Sequence, residues 1–91
     1  MDADVAGVTY DDTYYLRPWV ADDWAVHFHE LVHVAQWQWL TVPGFIERYL
    51  IEVVRFGYRQ APLEAMAYTL EGRYRSGDRG FAVEPYVAEH C

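Results

Sequence analysis

The run Asp22-Asp23-Trp24-Ala25-Val26-His27-Phe28-His29-Glu30-Leu31-Val32-His33-Val34-Ala35-Gln36-Trp37-Gln38-Trp39-Leu40-Thr41 decides how the rest of the chain is read. It is apolar on almost every side, as a buried helix is, yet histidines and a glutamate stand in its middle. Burying such groups without partners costs on the order of 1–3 kcal/mol or more each, so they must face something that satisfies them. Asp22 or Asp23 suits the N-cap, and both complement the positive end of the helix dipole. The helix is predicted to run to Trp39 or Leu40 and to break at Pro43-Gly44.

On such a helix His29 and His33, four residues apart, share a face about one turn from each other. Both imidazoles can then reach one metal ion. Glu30 is turned by roughly 100° from His29, beside the metal rather than on it. That is the place for a general base acting on an attacking water. A helical wheel groups Asp23, His27, Glu30, Val34 and Gln38 as a polar wedge. His29, His33 and Gln36 lie on the neighbouring face with Val26, Trp37 and Leu40 around them, and Trp24, Phe28, Leu31, Ala35 and Trp39 form an apolar core face. Glu30 is thus expected at the border of solvent and the histidine face, in a cleft open to substrate. His27 is expected to be a solvated neighbour of that cleft, and Trp24, Trp37 and Trp39 to be core. Gln36 either bonds near the metal or caps backbone locally. The competing interpretation of the whole run is a pair of hydrogen-bonded core histidines.

Around this helix the composition sets bounds. Ninety-one residues make a single domain, here a core of about 5–75 with a tail at 76–91. At this size a core alone is marginally stabilising, so a metal or dense packing helps. A chain 53% hydrophobic and 18% aromatic is not disordered. Its net charge of −7 argues against nucleic acid and anionic membranes as partners. No apolar run reaches the length of a membrane span. Met1-Asp2-Ala3-Asp4 lacks the basic start and apolar centre of a signal peptide, so a cytoplasmic product is the default expectation. Cys91 is the sole cysteine, which excludes an intrachain disulfide and a Cys-rich zinc site. All seven basic residues are arginine, which excludes Schiff-base catalysis and a P-loop lysine.

The fold class expected is α+β, mostly α: a short N-terminal strand or hairpin packed on three helices. Residues 5–17 favour strands through Val8, Thr9, Tyr10, Tyr14 and Tyr15, with Asp11-Asp12 as a tight turn. A second helix is predicted over 45–56, with Phe45, Ile46, Tyr49, Leu50, Val53 and Phe56 at helical spacing and Glu47, Arg48, Glu52 and Arg55 on the wet side. Gly57 stops it, and Pro62 opens a third helix reaching about Tyr74. Residues 76–80 read as a loop, and 81–87 as a short strand or a docked extended segment.

A catalytic zinc needs three protein ligands and an open position. Beside His29 and His33 the best third candidate is Glu64, early in a helix whose other residues are small or apolar. A lone acid there wants a partner such as a metal, although an acid in the first turn also simply favours the helix dipole. With His29-Glu30-Leu31-Val32-His33-Val34-Ala35-Gln36 and Pro62-Leu63-Glu64 in place, the chain resembles the gluzincin metallopeptidases. It is closest in plan to their minimal forms, the minigluzincins, and is similar to compact zincin-like domains with a His-Glu-Leu-x-His-x-x-Gln core, including those linked to contractile injection systems. Gly7-Val8-Thr9-Tyr10 matches the strand ahead of the active helix. The resemblance spans about 5–75. It implies one catalytic Zn²⁺ on His29, His33 and Glu64, Glu30 as general base, and hydrolysis of a peptide or unfolded protein substrate. Thermolysin-like enzymes also place an aspartate after the ligand glutamate to orient a histidine; the nearby positions here are Ala67 and Tyr68.

For that mechanism Tyr58 and Tyr68, which flank Glu64, are the candidate oxyanion donors. An extended peptide would add to the strand edge near 5–10. His90-Cys91 could fold back onto the metal and block it. The alternative function is a zinc-stabilised binding or scaffold domain without turnover, and a third reading is a helical bundle with no metal.

Overall fold

The structure is a computed structural model that describes residues 6–78 and 80–91. Residues 1–5, with the acidic start and Val5 of the expected β segment, and Arg79 of the expected loop lie outside the described residues. The chain opens with a hairpin of β1 (Gly7–Tyr10) and β2 (Thr13–Leu16), antiparallel, with Gly7 opposite Leu16 and Tyr10 opposite Thr13. Asp11-Asp12 makes the turn, with Asp11 at φ 56°, a left-handed conformation that aspartate tolerates. An isolated two-stranded hairpin is marginal in water, so this one depends on what it lies against. The Tyr10 ring packs on Trp37, centroids 5.1 Å apart. The Tyr14 hydroxyl meets His27 Nδ1 at 2.9 Å, and the other ring nitrogen of His27 donates to the Ala21 carbonyl at 2.7 Å. His27 is therefore a staple between the hairpin and the helix rather than a solvated side chain. A Cβ built on Gly7 would stand 2.6 Å from Leu16 Cδ2, 2.8 Å from the Tyr15 carbonyl oxygen and 3.4 Å from Glu30 Cδ. Glycine alone lets β1 lie this close over Glu30.

After a 3-10 turn at Pro18–Val20 comes α1 (Trp24–Phe56). Asp23, not Asp22, caps it, accepting from the Ala25 N–H at 3.0 Å. The helix has two arms, because Thr41 stands at φ 64°, ψ 166°. The break expected at Pro43-Gly44 falls at Thr41 instead. Pro43 belongs to the first turn of the second arm, where its missing N–H would have no helical partner anyway. Gly57 ends the arm as expected, and α2 (Pro62–Arg75) begins on Pro62.

The tail differs from expectation: 83–90 is a helix, α3 (Val83–His90). Pro85 is its third residue, again inside the first turn. Val87 of α3 is 1% exposed and packs with Val32 and Ala35 of α1 and Ala67 and Leu70 of α2. A second cluster joins Trp37, Phe45 and Leu63, with Phe45 stacked on Trp37 at 3.9 Å. Cys91 packs at the margins of both clusters, and His90 is exposed with Nδ1 on the Tyr86 carbonyl. Neither residue folds onto the histidine pair.

The wheel is also corrected. Trp24, Leu31 and Trp39 are 69%, 48% and 56% exposed, while Ala25, Val26, Val32 and Trp37 are buried. The buried arc of α1 is turned towards the histidines because the hairpin covers one flank of that face and α2 the other. On the second arm Glu47 and Arg55 are exposed and Phe45 buried as expected, but Leu50 and Phe56 are exposed and Glu52 is buried, against expectation. The Glu52 carboxylate accepts from the Leu63 N–H at 2.8 Å. Among the described residues no helix is long and apolar enough to cross a membrane.

Leu70 is fully buried where the three helices meet. Leu70→Ala should cost about 2–5 kcal/mol in urea unfolding. Deleting 81–91 should lower the melting temperature and raise no activity, because it strips Val87 from the core instead of unblocking a site.

Candidate metal centre

His29 and His33 come from one face of the first arm of α1, and Glu64 from the first turn of α2. All three are buried, and their ligand atoms lie within 4.8 Å of one another. His33 Nε2 is 3.1 Å and His29 Nε2 3.4 Å from the same Glu64 Oε1. Ligands of a tetrahedral zinc at roughly 2.0–2.1 Å stand about 3.3–3.4 Å apart, so the spacing fits one ion.

The remaining contacts decide which atoms carry hydrogens. Gln36 is fully buried, and its Nε2 donates to the Leu63 carbonyl at 3.0 Å. Turned the other way, its oxygen would face that carbonyl oxygen, so the orientation follows from the bonding. Gln36 Oε1 then accepts from His33 Nδ1 at 2.8 Å. On the other ring, His29 Nδ1 is 2.9 Å from Glu71 Oε1, in ion-pair contact although the carboxylate lies off the line of the ring N–H. With both Nδ1 atoms carrying hydrogen, neutral rings turn the lone pairs of both Nε2 atoms onto a carboxylate oxygen. Three electron-rich atoms face one another, all on buried side chains. Only positive charge makes that arrangement favourable: extra protons, or a cation.

The electrostatics agree. Burial resists charging His29, but Glu64 and Glu71 outweigh it and hold its pKa up at about 9. Burial likewise works against ionising Glu64, yet the two histidines pull its pKa down to about 2. Glu71 is lowered too, its burial overcome by His29 and Arg75. Three carboxylates, Glu30, Glu64 and Glu71, thus surround two imidazoles.

Glu30 is 4% exposed, beneath β1 and not at a solvent border as the wheel had it. Its Oε1 accepts from the Thr9 hydroxyl at 3.0 Å, and its Oε2 lies 3.8 Å from His29 Nε2. It still reaches open space, because a cleft of about 580 Å³ is lined by Glu30, His33 and Glu64 on one side. Gly7, Val8 and Thr9 of β1 form another wall, and Trp37, Phe45, Ile46 and Leu50 an apolar one.

Of the two flanking tyrosines, Tyr58 lines the cleft. Tyr68 instead packs its ring edge-on to His29 at 4.6 Å, with the Arg59 guanidinium 4.5 Å over its other side. Two residues escaped the sequence reading. Tyr49 places its hydroxyl 3.5 Å from Glu64 Oε2 and also lines the cleft. Glu71 fills the histidine-orienting position for which Ala67 and Tyr68 had been the only neighbours considered. Its signal was the spacing Glu64, Tyr68, Glu71, which puts all three on one face of a helix. Burial, then the nearby Glu64 charge, pushes the hydroxyl pKa of both Tyr49 and Tyr58 well above the ordinary value, so both remain hydrogen-bond donors at neutral pH.

No family model, no curated protein and no solved structure matches the chain. The likeness to gluzincins therefore stands on the motif and on the geometry of these side chains.

If the three residues bind zinc, saturation at about 100 times Kd should stabilise the fold by about 2.7 kcal/mol, read as a rise in melting temperature that a chelator reverses. Glu64→Ala should abolish that rise. An unchanged zinc response in Glu64→Ala would show that other residues bind the ion.

Proposed function

We propose that the chain is a small zinc-dependent peptidase of the gluzincin plan, acting on peptides or unfolded proteins. The observation that carries this reading is the convergence of two imidazole lone pairs and a carboxylate oxygen beside a buried glutamate that is not part of the triangle. A purely structural ion has no use for Glu30 at that position. Bound there by His29, His33 and Glu64, zinc would supply Lewis acidity to a peptide carbonyl and make water acidic enough to lose a proton near neutral pH.

The chain's own groups do the rest. Glu30 accepts the proton of the attacking water and passes it to the departing amine. The Thr9 hydroxyl holds one Glu30 oxygen, leaving the other free for that transfer. Tyr58, protonated and on the cleft wall, is placed to donate to the developing oxyanion, with Tyr49 beside it.

The substrate's posture follows from the hairpin. The Arg17 N–H donates to the Ala6 carbonyl at 2.9 Å, which marks that pair as hydrogen-bonded across the strands. Alternation along the ladder then makes Val8 with Tyr15 and Tyr10 with Thr13 bonded pairs. Gly7 and Thr9 must point their N–H and C=O groups to the free edge of β1. An extended peptide can pair there as a third strand. The Trp37, Phe45, Ile46 and Leu50 wall suits a large apolar side chain on that peptide.

Glu30→Gln tests the reading. The variant should bind zinc as the wild type does but hydrolyse unfolded casein at least about 10²-fold more slowly. Equal, background rates in both would leave a zinc-stabilised binding domain without turnover.

A further inference from the structure

Glu52 belongs to none of the groups that face the metal centre, yet it is buried at 6% exposure on a helix arm whose neighbouring positions are mostly open to solvent. Its two oxygens are both used. Oε2 accepts from Arg48 Nε at 2.9 Å, and Oε1 accepts from the Leu63 N–H at 2.8 Å. Leu63 is the second residue of α2, so its N–H is one of the donors that a helix start leaves without a partner. The residue before the helix, Ala61, offers no side-chain cap, and Leu63 itself is fully buried, out of reach of water. Glu52 therefore caps α2 from a different helix.

The same residue, Leu63, is also held at its carbonyl. Its carbonyl accepts from Gln36, and Gln36 accepts from His33 Nδ1. The next residue along the chain is Glu64. Fixing Leu63 thus fixes two of the three metal-facing groups at once: His33 through Gln36, in tautomer and ring rotation, and Glu64 through the covalent backbone.

On this basis, and resting on the zinc reading above, we propose that Glu52 is the positioning residue of the metal centre, setting His33 and Glu64 through the Leu63 peptide without touching either. Its partner Arg48, itself one-third exposed, holds the carboxylate in place at 2.9 Å. Removing the carboxylate releases the Leu63 N–H, lets the start of α2 shift, and frees Gln36 to turn over. His33 then loses the acceptor that keeps hydrogen on Nδ1 and the lone pair on Nε2. Partners of this kind, one step behind a ligand, typically change metal affinity about 10–100-fold when removed.

The test compares wild type, Glu52→Ala and Glu52→Gln at a temperature where all three give the folded circular-dichroism spectrum. Three quantities are read: the zinc dissociation constant by competition, the visible absorption of the cobalt-loaded protein, and the slowly exchanging Nδ1–H proton of His33 by NMR in the metal-free protein. Glu52→Ala should weaken zinc at least about tenfold, shift the cobalt bands, and lose protection of the His33 proton. Glu52→Gln, whose amide oxygen can still accept from Leu63, should restore most of each. A merely structural cap would lower the melting temperature and leave all three readouts unmoved, and that result overturns the proposal. If Glu52→Ala does not fold, Glu52→Asp, one methylene too short to keep both the Leu63 N–H and Arg48, takes its place, and unmoved readouts in that variant with its bond to Leu63 lost overturn the proposal. Metal-free wild type without a protected Nδ1–H on His33 overturns the proposal by itself. Should the wild type take up no zinc, the peptidase reading fails, while the His33 proton in the Glu52 variants still reports whether Glu52 acts through Leu63.

Discussion

Two imidazole nitrogens stand 3.1 and 3.4 Å from Glu64 Oε1, and the three atoms lie within 4.8 Å of one another among buried side chains. Everything else in the fold can be read as the means of imposing that juxtaposition. Gln36 fixes the hydrogen of His33 on Nδ1, and the Glu71 carboxylate 2.9 Å from His29 Nδ1 draws positive charge onto that ring. The pocket must then be completed by positive charge. In a metal-free chain that role falls to protons, which is why His29 holds its proton up to a pKa of about 9. A divalent ion meets the same need with a single particle and releases the proton.

The helices bring the charges together economically. The kink at Thr41 lets one helix, α1, provide both the histidine face and the arm carrying Glu52 and Tyr49. The first turn of α2 supplies Glu64, and the same helix supplies Glu71 two turns later. Apolar packing holds the frame: Leu70 and Val87 on one side of the histidines, Trp37, Phe45 and Leu63 on the other. The hairpin contributes little burial of its own. Its value is positional, since Gly7 allows β1 to lie directly over Glu30 and, among the described residues, leaves an unpaired strand edge along the cleft.

The sequence carried the local part of this. The hairpin with its Asp11-Asp12 turn, the capped helix of the histidines, the stop at Gly57 and the helix opening on Pro62 are all set by residues within a turn of one another. So is the sharing of one face by His29 and His33, and the grouping of Glu64 with them follows once α2 is seen to cross α1. What was not legible depends on tertiary contact. The polar wedge of the wheel put Glu30 at a border with solvent, because nothing local says that β1 will cover it. Trp24 and Trp39 are exposed although their composition says core, because α2 and the hairpin crowd the opposite face. Glu52 sat among charged neighbours and looked wet; only the position of Leu63 reveals it as a cap. The tail, read as a strand or an extended segment, is a helix, and its Pro85 is no obstacle because it stands in the first turn.

The zinc-edge X-ray absorption spectrum of the zinc-loaded protein tests the central claim most directly, because it reports the elements and distances around the ion itself. Two imidazole nitrogens and carboxylate or water oxygens at roughly 2.0–2.1 Å, with no sulfur, are the first shell expected of His29, His33 and Glu64. A sulfur at roughly 2.3 Å, which only a cysteine or methionine could supply, or a shell of oxygens without imidazole scattering, would contradict it.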